Sequence, residues 1–130
     1  DLAIMAAAVA DWRPANAATT KIKKGGVLPP LEVEATEDIL AWMGTNKDNR
    51  QRLVGFALET TNEERHAQDK LARKNLDLIV LNSLNDPGAG FGHDTNKVTL
   101  IGKDKKAHHL PLTSKAATAV AILDHIERLL

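Results

Sequence analysis

Lysine residues that could bind an anion are concentrated in two short stretches of the sequence. The first is T-T-K-I-K-K-G-G, in which Lys21, Lys23 and Lys24 precede two glycines. The second is the pair Lys70 and Lys74, which lies in a segment with helical periodicity. Residues four apart share one face of a helix, where two like charges cost roughly 0.2–0.5 kcal/mol unless an anion lies over both. Both stretches therefore predict phosphate-binding groups, with a solvated surface as the alternative.

An aspartate follows the first apolar run of the chain. Leu2–Val9 is continuously apolar, as expected for a central parallel strand covered on both faces. Asp11 stands at the C-terminal end of this run, where open α/β sheets place ligands. Pro14 then favours an extended loop over an immediate helix. We expect Asp11 to contact a ligand or a metal ion, with a turn-forming aspartate as the alternative.

Further apolar runs predict the sheet that positions these residues. Leu53–Leu58 and Leu78–Leu81 are short and apolar, as buried strands are. Val98–Ile101 and His109–Leu112 flank the polar turn G-K-D-K-K, which indicates an antiparallel hairpin near the C-terminus. Strand patterns that alternate with helical ones predict an α/β fold with a mostly parallel sheet.

Capping residues predict where two of the helices begin and end. Thr36 is expected to cap a helix with acidic residues in its first turn, and Gly44 is expected to end it. Thr61 and Glu64 fit a capping box at the start of the helix that carries the lysine pair. Asn75 is expected to end that helix in the left-handed conformation.

Two features of the strands and loops bear on ligand binding. Phe56 in G-F-A-L is a core residue or a base-stacking platform, and Gly55 beside it leaves room for a flat ligand. Gly88, Gly90 and Gly92 do not form a phosphate-binding fingerprint, because no helical pattern follows them. We predict that these three glycines are turn residues.

Composition excludes several classes of protein. The 130 residues are 43% hydrophobic and 26% charged, which predicts one globular domain with a core. Seventeen basic and seventeen acidic residues balance, which argues against a nucleic-acid or membrane-surface partner. The absence of cysteine excludes disulfides and thiolate metal sites and suits the cytoplasm. A start inside a predicted strand suggests part of a longer polypeptide.

Five motifs, taken together and in order, resemble phosphopantothenate-cysteine ligases, the C-terminal domains of bacterial bifunctional coenzyme A biosynthesis flavoproteins. The motifs are A-A-A-V-A-D-W-R-P, K-I-K-K, G-F-A-L-E-T, K-x-x-x-K-N-L-D-L-I and G-F-x-x-D-x-N. The resemblance covers residues 1–130 and implies a Rossmann-like three-layer α/β/α domain that forms a homodimer. It also implies that the N-terminal part of the ligase domain, with its glycine-rich opening, precedes Asp1.

The resemblance further implies an activity. Bacterial members join 4'-phosphopantothenate to L-cysteine through an acyl-cytidylate intermediate, using CTP and a divalent cation such as Mg²⁺. In bifunctional members the ligase follows a flavin-dependent decarboxylase, and whether such a domain is fused upstream here stays open at this point.

Roles for individual residues follow from the same resemblance. Lys21 would be catalytic, Lys23 and Lys24 would belong to a flap over the phosphates, and Asp11 would contact the metal. The segment T-E-D-I departs from the N-P-D-I form of some members. The implied nucleotide contacts are Asp11, Lys21, Thr36, Glu37, Asp38, Ile39, Phe56, Lys70 and Lys74.

Two other functions stay open at this point. One is a dinucleotide-binding Rossmann module of an oxidoreductase, although the sequence has no G-x-G-x-x-G that opens a helix. The other is a non-catalytic domain that serves dimerisation.

Overall fold

The computed structural model describes residues 1–23, 25, 30–83, 85–86, 88–89 and 92–129, which form two compact units. The larger unit comprises Asp1–Ala6 and Leu40–Leu130, and the smaller one comprises Ala7–Ile39. In chain order the elements are β1 (Leu2–Met5), β2 (Trp12–Pro14), β3 (Val33–Ala35), α1 (Ile39–Asn46), β4 (Arg52–Glu59), α2 (Glu63–Arg73), β5 (Leu78–Ser83), β6 (Thr95–Asn96), β7 (Val98–Gly102), β8 (Ala107–His109), β9 (Thr113–Ser114) and α3 (Lys115–Glu127).

The larger unit is built on a five-stranded mixed sheet with the order β1-β4-β5-β7-β8. Strands β1, β4 and β5 are parallel, whereas β7 pairs antiparallel with β5 and β8 pairs antiparallel with β7. The predicted α/β fold with a C-terminal antiparallel hairpin is thereby confirmed. The second strand of that hairpin, β8, begins two residues earlier than the predicted His109–Leu112.

Two apolar clusters cover the two faces of this sheet and make three layers. On one face, α2 contributes Ala67 and Leu71 to a cluster with β4 and β5, and side chains of α1 pack against it. On the other face, α3 contributes Ile122 and Ile126 to a second cluster with β4, β5 and β7. Successive residues of a strand point to opposite faces, so the apolar runs of β4 and β5 supply both clusters. Burying each large aliphatic side chain contributes roughly 1.5–3 kcal/mol.

Strand β1 is short and only partly buried. Within the described residues it pairs with β4 alone and forms one edge of the sheet. Leu2 and Ile4 remain 39% and 38% exposed, and the strand ends at Met5. The strand is thus shorter than the predicted Leu2–Val9, and its central position stays a prediction for the longer polypeptide.

The beginning of α2 also differs from the prediction. The residue before the helix is Asn62, which adopts a left-handed conformation with φ 45° and makes no side-chain cap. Glu64 lies beside the His109 ring at 3.7 Å, and Glu63 accepts hydrogen bonds from Ser83 and Asn85. These tertiary contacts engage both first-turn carboxylates, so the capping box predicted for Thr61 and Glu64 is wrong.

The end of α2 confirms the prediction for Asn75, whose φ is 49°. The Asn75 N–H donates to the Ala72 carbonyl at 3.2 Å, and the Leu76 N–H donates to the Leu71 carbonyl at 2.9 Å. This is the pair of hydrogen bonds that defines a Schellman motif. Gly44, by contrast, does not end α1: it is a buried residue inside that helix.

The smaller unit contains an antiparallel pair that the sequence did not predict. Strand β2 pairs with β3, so that Trp12 opposes Ala35 and Pro14 opposes Val33. Arg13 Nε donates to Glu34 Oε1 at 2.7 Å across the pair. The chain therefore remains in a strand through Pro14, where a loop was expected.

None of the helices in the described part of the chain is long and apolar enough to cross a membrane.

The carboxylate of Asp77 connects three parts of the larger unit. It accepts hydrogen bonds from Lys47 Nζ, from Lys103 Nζ at 2.7 Å and from the Leu53 N–H at 2.8 Å. Lys47 follows α1, Leu53 lies in β4, and Lys103 lies in the turn after β7. Burial raises the pKa of Asp77, but the hydrogen bonds from Lys103, Lys47 and Leu53 outweigh burial and lower the pKa below its ordinary 3.8. The Asp77 side chain, only 11% exposed, is therefore held as an ion.

We predict that Asp77→Asn lowers the free energy of unfolding by about 2–3 kcal/mol at neutral pH, because it leaves the buried Lys47 without its counter-charge. Urea denaturation measures this loss. The folded-state pKa of Asp77 is lowered, so its contribution is present above the ordinary carboxyl pKa and disappears as the pH falls through the folded-state value. The difference in the free energy of unfolding between wild type and Asp77→Asn should therefore shrink as the pH falls. Asp48→Asn, which breaks an exposed pair with Arg50, is the matched control and should cost much less. Equal losses would contradict the assignment.

Candidate functional site

The base of the hairpin in the smaller unit brings two of the predicted ligand contacts together. The Thr36 N–H donates to the Asp11 carbonyl at 3.0 Å, and the Thr36 hydroxyl donates to the Ala10 carbonyl. The β2–β3 pairing is what places these two residues side by side. Because the Thr36 hydroxyl is engaged with Ala10, it does not cap α1 as predicted. The Asp11 residue itself is exposed.

The basic arm is the connection between the two strands of this hairpin. Its ends are held together by the Ala15 N–H, which donates to the Glu32 carbonyl at 2.9 Å, and by Asn16 Nδ2, which donates to the Glu32 carboxylate at 3.2 Å. Lys21 and Lys23 are exposed along the arm. Lys24, the third predicted residue, lies outside the described residues. The geometry is that of a loop fastened at its base, which a flap requires.

The residues between Thr36 and α1 take positions that differ from the predicted first helical turn. Glu37 and Asp38 are exposed and precede the helix, which begins at Ile39. The Ile39 N–H donates to the Glu37 carbonyl at 3.0 Å. Ile39 is also exposed, so this segment presents side chains to solvent rather than to the core.

The lysine pair lies on the second half of α2. Lys74 is the C-cap residue of the helix, and its N–H donates to the Lys70 carbonyl at 3.0 Å. Both residues are half-buried. Since α2 returns from the carboxyl end of β4 to the beginning of β5, Lys74 lies near the edge where the parallel strands start. The two lysines are one helical turn apart, as the spacing predicted, and their role as nucleotide contacts stays a prediction.

Phe56 lies apart from the lysines within the larger unit. Its ring packs against the second apolar cluster, on the face that α3 covers, whereas α2 packs on the opposite face. The space beside Gly55 is filled, because a Cβ there would lie 2.7 Å from Leu76 Cδ1 and 3.0 Å from Leu40 Cδ2. The expected room for a flat ligand at Gly55 is therefore absent.

The loop after β5 bears out the turn prediction where it is described. Gly88 and Gly92 have φ of 80° and 78°, which side chains rarely adopt, while Gly90 lies outside the described residues. A polar contact that sequence reasoning missed anchors this region: Asn96 Nδ2 donates to Asn82 Oδ1 at 2.8 Å. Asn96 ends the motif G-F-x-x-D-x-N, whereas Asn82 lies just beyond K-x-x-x-K-N-L-D-L-I, so the sequence offers no signal of their pairing.

The donor groups decide what kind of metal binding is compatible with the chain. Across the described residues, no group of three or more His, Cys, Asp or Glu side chains could hold a metal ion. Mg²⁺ is commonly bound by one or two carboxylates together with substrate phosphates. The exposed carboxylate of Asp11 fits that mode, in which a nucleotide brings most of the ligands.

A cavity of about 610 Å³ lies in the larger unit at the amino edge of the sheet, where β4 and β5 begin. Its walls include Arg52, Asp77 and Lys103, together with His108 of β8 and His125 of α3, whose ring centroids are 5.0 Å apart. Burial lowers the pKa of His125 below its ordinary 6.5, with smaller contributions from His108 and Arg128 that Asp104 opposes. None of the predicted nucleotide contacts lines this cavity.

One family model and several known proteins are similar to this chain. A family model described as "DFP: DNA/pantothenate metabolism flavoprotein C-terminal domain" matches residues 1–130. The chain is 50% identical over 126 residues to a "Cysteine/Cysteine sulfinic acid decarboxylase" of an unknown prokaryotic organism, covering 97% of this chain and 35% of the relative. It is 46% identical over 129 residues to the "Coenzyme A biosynthesis bifunctional protein CoaBC" of Bacillus subtilis (strain 168), covering 99% and 32%.

A solved structure is similar over the same length. The crystal structure of the C-terminal domain of a coenzyme A biosynthesis bifunctional protein CoaBC matches with a TM-score of 0.76 and 40% identity. The match covers 99% of this chain and 54% of that one. The chain thus spans about a third of the length of the curated relatives, 35% and 32%, and about half of the solved domain.

The histidine pair at the amino edge gives a testable pH dependence. Because the folded-state pKa of His125 is lowered, the unfolded chain binds the proton more readily, and stability is lost as the pH falls below about 6.5. We expect the urea midpoint to decrease between about pH 7.5 and about pH 5.5, and to decrease less in His125→Gln. His93→Gln, at an exposed histidine, should keep the wild-type dependence of the urea midpoint on pH. If the urea midpoint depends on pH in the same way in wild type, His125→Gln and His93→Gln, the expectation is contradicted.

Proposed function

The chain belongs to the family of the DNA/pantothenate metabolism flavoprotein C-terminal domain, and we propose that it contributes to the CTP-dependent ligation of 4'-phosphopantothenate and L-cysteine. The family match over residues 1–130 supports this proposal, as do relatives named for coenzyme A biosynthesis. The family match favours ligation over the oxidoreductase and dimerisation alternatives.

The observation that carries the proposal is the geometry of the hairpin in the smaller unit. Its base holds Asp11 beside Thr36, and its connecting arm carries Lys21 and Lys23 into solvent. A flap over a nucleotide needs a fixed base and cationic groups on a loop that can close. Two contacts that are 25 residues apart in the sequence would then face one ligand.

The first half-reaction brings anions together. A carboxylate oxygen of phosphopantothenate forms a bond to the α-phosphorus of CTP, the bond to the β-phosphate oxygen breaks, and pyrophosphate leaves. Positive charge aimed at the transferring phosphorus and the leaving group lowers the barrier of such a step. Lys21 supplies that charge as the catalytic residue, with Lys23 and Lys24 on the same arm.

The remaining contacts bind the nucleotide. Lys70 and Lys74 neutralise phosphate charge from α2, and the T-E-D-I segment contributes further contacts. Phe56 packs on the other face of the sheet, so its contact with the nucleotide stays a prediction from the resemblance alone. Asp11 would hold a Mg²⁺ ion that arrives with CTP, and that ion would supply additional neutralisation of the phosphate oxygens.

The second half-reaction forms the amide. The amine of L-cysteine attacks the acyl carbon of the acyl-cytidylate, the bond from that carbon to the phosphate oxygen breaks, and CMP leaves with loss of a proton from the amine. Amide formation is thus coupled to cleavage of the nucleotide. We further propose that the enzyme is a cytoplasmic homodimer and that a flavin-dependent decarboxylase precedes the ligase in the same polypeptide.

The role of Lys21 is tested by Lys21→Gln, made in the full-length protein. We expect the release of pyrophosphate from CTP and phosphopantothenate to fall by at least about 10²-fold, because one preorganised electrostatic contact of this kind is worth that much. Unfolding should be unaffected, since Lys21 is exposed on a loop. Lys115→Gln, at another exposed lysine, is the control and should react normally. Wild-type rates in Lys21→Gln would overturn the catalytic assignment.

The role of the lysine pair is tested by Lys70→Ala and Lys74→Ala. Each substitution should weaken the binding of CTP, measured by calorimetry, and the loss should diminish at high salt because it is electrostatic. Lys70→Ala should also keep or slightly raise stability, since it removes a like charge from the helix. Arg73→Ala, an exposed residue on the same turn, should leave CTP affinity unchanged. If CTP affinity is unchanged in both lysine variants, Lys70 and Lys74 do not bind the nucleotide.

A further inference from the structure

We propose that Gly44 and Asn75 are positioning residues for nucleotide binding, because together they fix the backbone that presents Lys74. This inference rests on the function proposed above. It concerns contacts within the larger unit, between α1 and the turn that ends α2.

Gly44 allows α1 to touch the end of α2 directly. A Cβ at this position would lie 1.9 Å from the Lys74 carbonyl oxygen and 2.9 Å from the Lys74 carbonyl carbon. Both atoms belong to backbone, so they can make room only if one helix moves. Glycine inside a helix costs about 1 kcal/mol relative to alanine. The close approach of Lys74 explains why glycine is nevertheless present.

Asn75 holds the same contact from the other side. Its left-handed backbone, with φ 49°, closes the Schellman motif at the end of α2. Glycine would serve that conformation at least as well. The asparagine adds a side-chain amide, and Asn75 Nδ2 donates to the Gly44 carbonyl at 2.8 Å. This hydrogen bond joins the two helices at the residue that follows Lys74.

The consequence is that Lys74 is restrained through its own backbone. Its carbonyl lies against Gly44, its N–H is bonded to the Lys70 carbonyl, and the next residue is bonded to α1. A lysine side chain is long and flexible, so the position of its Cα sets the region that the ammonium can reach. Misplacement of a binding group by about 1 Å can cost up to 10²-fold in activity. Loosening the joint should therefore weaken CTP binding although neither Gly44 nor Asn75 need touch the nucleotide.

The main test is Asn75→Gly in the full-length protein, with CTP and Mg²⁺ as the probe in calorimetry. The variant keeps the left-handed turn but loses the amide that binds Gly44, and we expect CTP affinity to fall about 5- to 10-fold. Asn62→Gly is the matched control, because Asn62 is also left-handed and lies at the other end of α2 without a side-chain cap. It should leave CTP affinity unchanged. Unchanged affinity in Asn75→Gly, or an equal loss in Asn62→Gly, would overturn the inference.

A double-mutant cycle separates positioning from general destabilisation. If Asn75 acts through Lys74, the double variant with Asn75→Gly and Lys74→Ala should bind CTP no more weakly than Lys74→Ala alone. Losses that multiply would show that Asn75 acts on something else and would overturn the inference. The cycle also distinguishes the two levels of the proposal. If Lys74→Ala weakens CTP binding and Asn75→Gly does not, only the inference fails; if Lys74→Ala has no effect, the nucleotide role of Lys74 fails as well.

Gly44→Ala tests the joint from α1. The added methyl group must displace the Lys74 carbonyl by more than 1 Å, given the 1.9 Å separation. We expect a larger loss of CTP affinity than in Asn75→Gly. If Gly44→Ala does not fold, the need for close approach is supported and the binding test remains with Asn75→Gly. Folded Gly44→Ala with wild-type CTP affinity would overturn the role of Gly44.

Discussion

The larger unit depends on one buried carboxylate where its parallel strands begin. Asp77 accepts hydrogen bonds from Lys47, Lys103 and the Leu53 N–H, and these groups come from three separate parts of the chain. A largely buried carboxylate is tolerated when its oxygens are satisfied and its charge is opposed. Meeting that condition places the end of α1, the start of β4 and the turn after β7 in one arrangement.

Close backbone contact then determines where the binding groups of this unit can lie. Leu40 and Leu76 fill the space beside Gly55, and the Lys74 carbonyl fills the space beside Gly44. These contacts leave α1 and α2 little freedom to slide on the sheet, because packed interiors do not deform continuously. The backbone of Lys74, at the end of α2, is therefore held in one position, from which its flexible side chain extends. In the smaller unit, the pairing of β2 with β3 fixes the backbone at the base of the arm that carries Lys21 and Lys23.

Some of the fold could be predicted from the sequence because the signals are local. The apolar runs of β4 and β5 identified buried strands, and Asn75 identified a left-handed helix end, since both depend on properties of a few consecutive residues. The capping box at α2 failed because a left-handed Asn62, not Thr61, precedes the helix and Glu64 lies beside His109 of β8. The predicted extent of β1, Leu2–Val9, was too long, because where a strand ends depends on its pairing partner as well as on its own apolar residues.

For the candidate site, too, local sequence predicted some features and tertiary contacts decided the others. Residue type and spacing by themselves determined the chemistry: lysines that suit phosphate, an aspartate that suits Mg²⁺, and motif order that indicated the family. Only the tertiary structure decided which of these groups are neighbours. It placed Asp11 beside Thr36 through strand pairing, and it put Phe56 and the lysine pair on opposite faces of the sheet. The physical reason is that side-chain chemistry belongs to single residues, whereas proximity depends on long-range pairing and packing that no local pattern records.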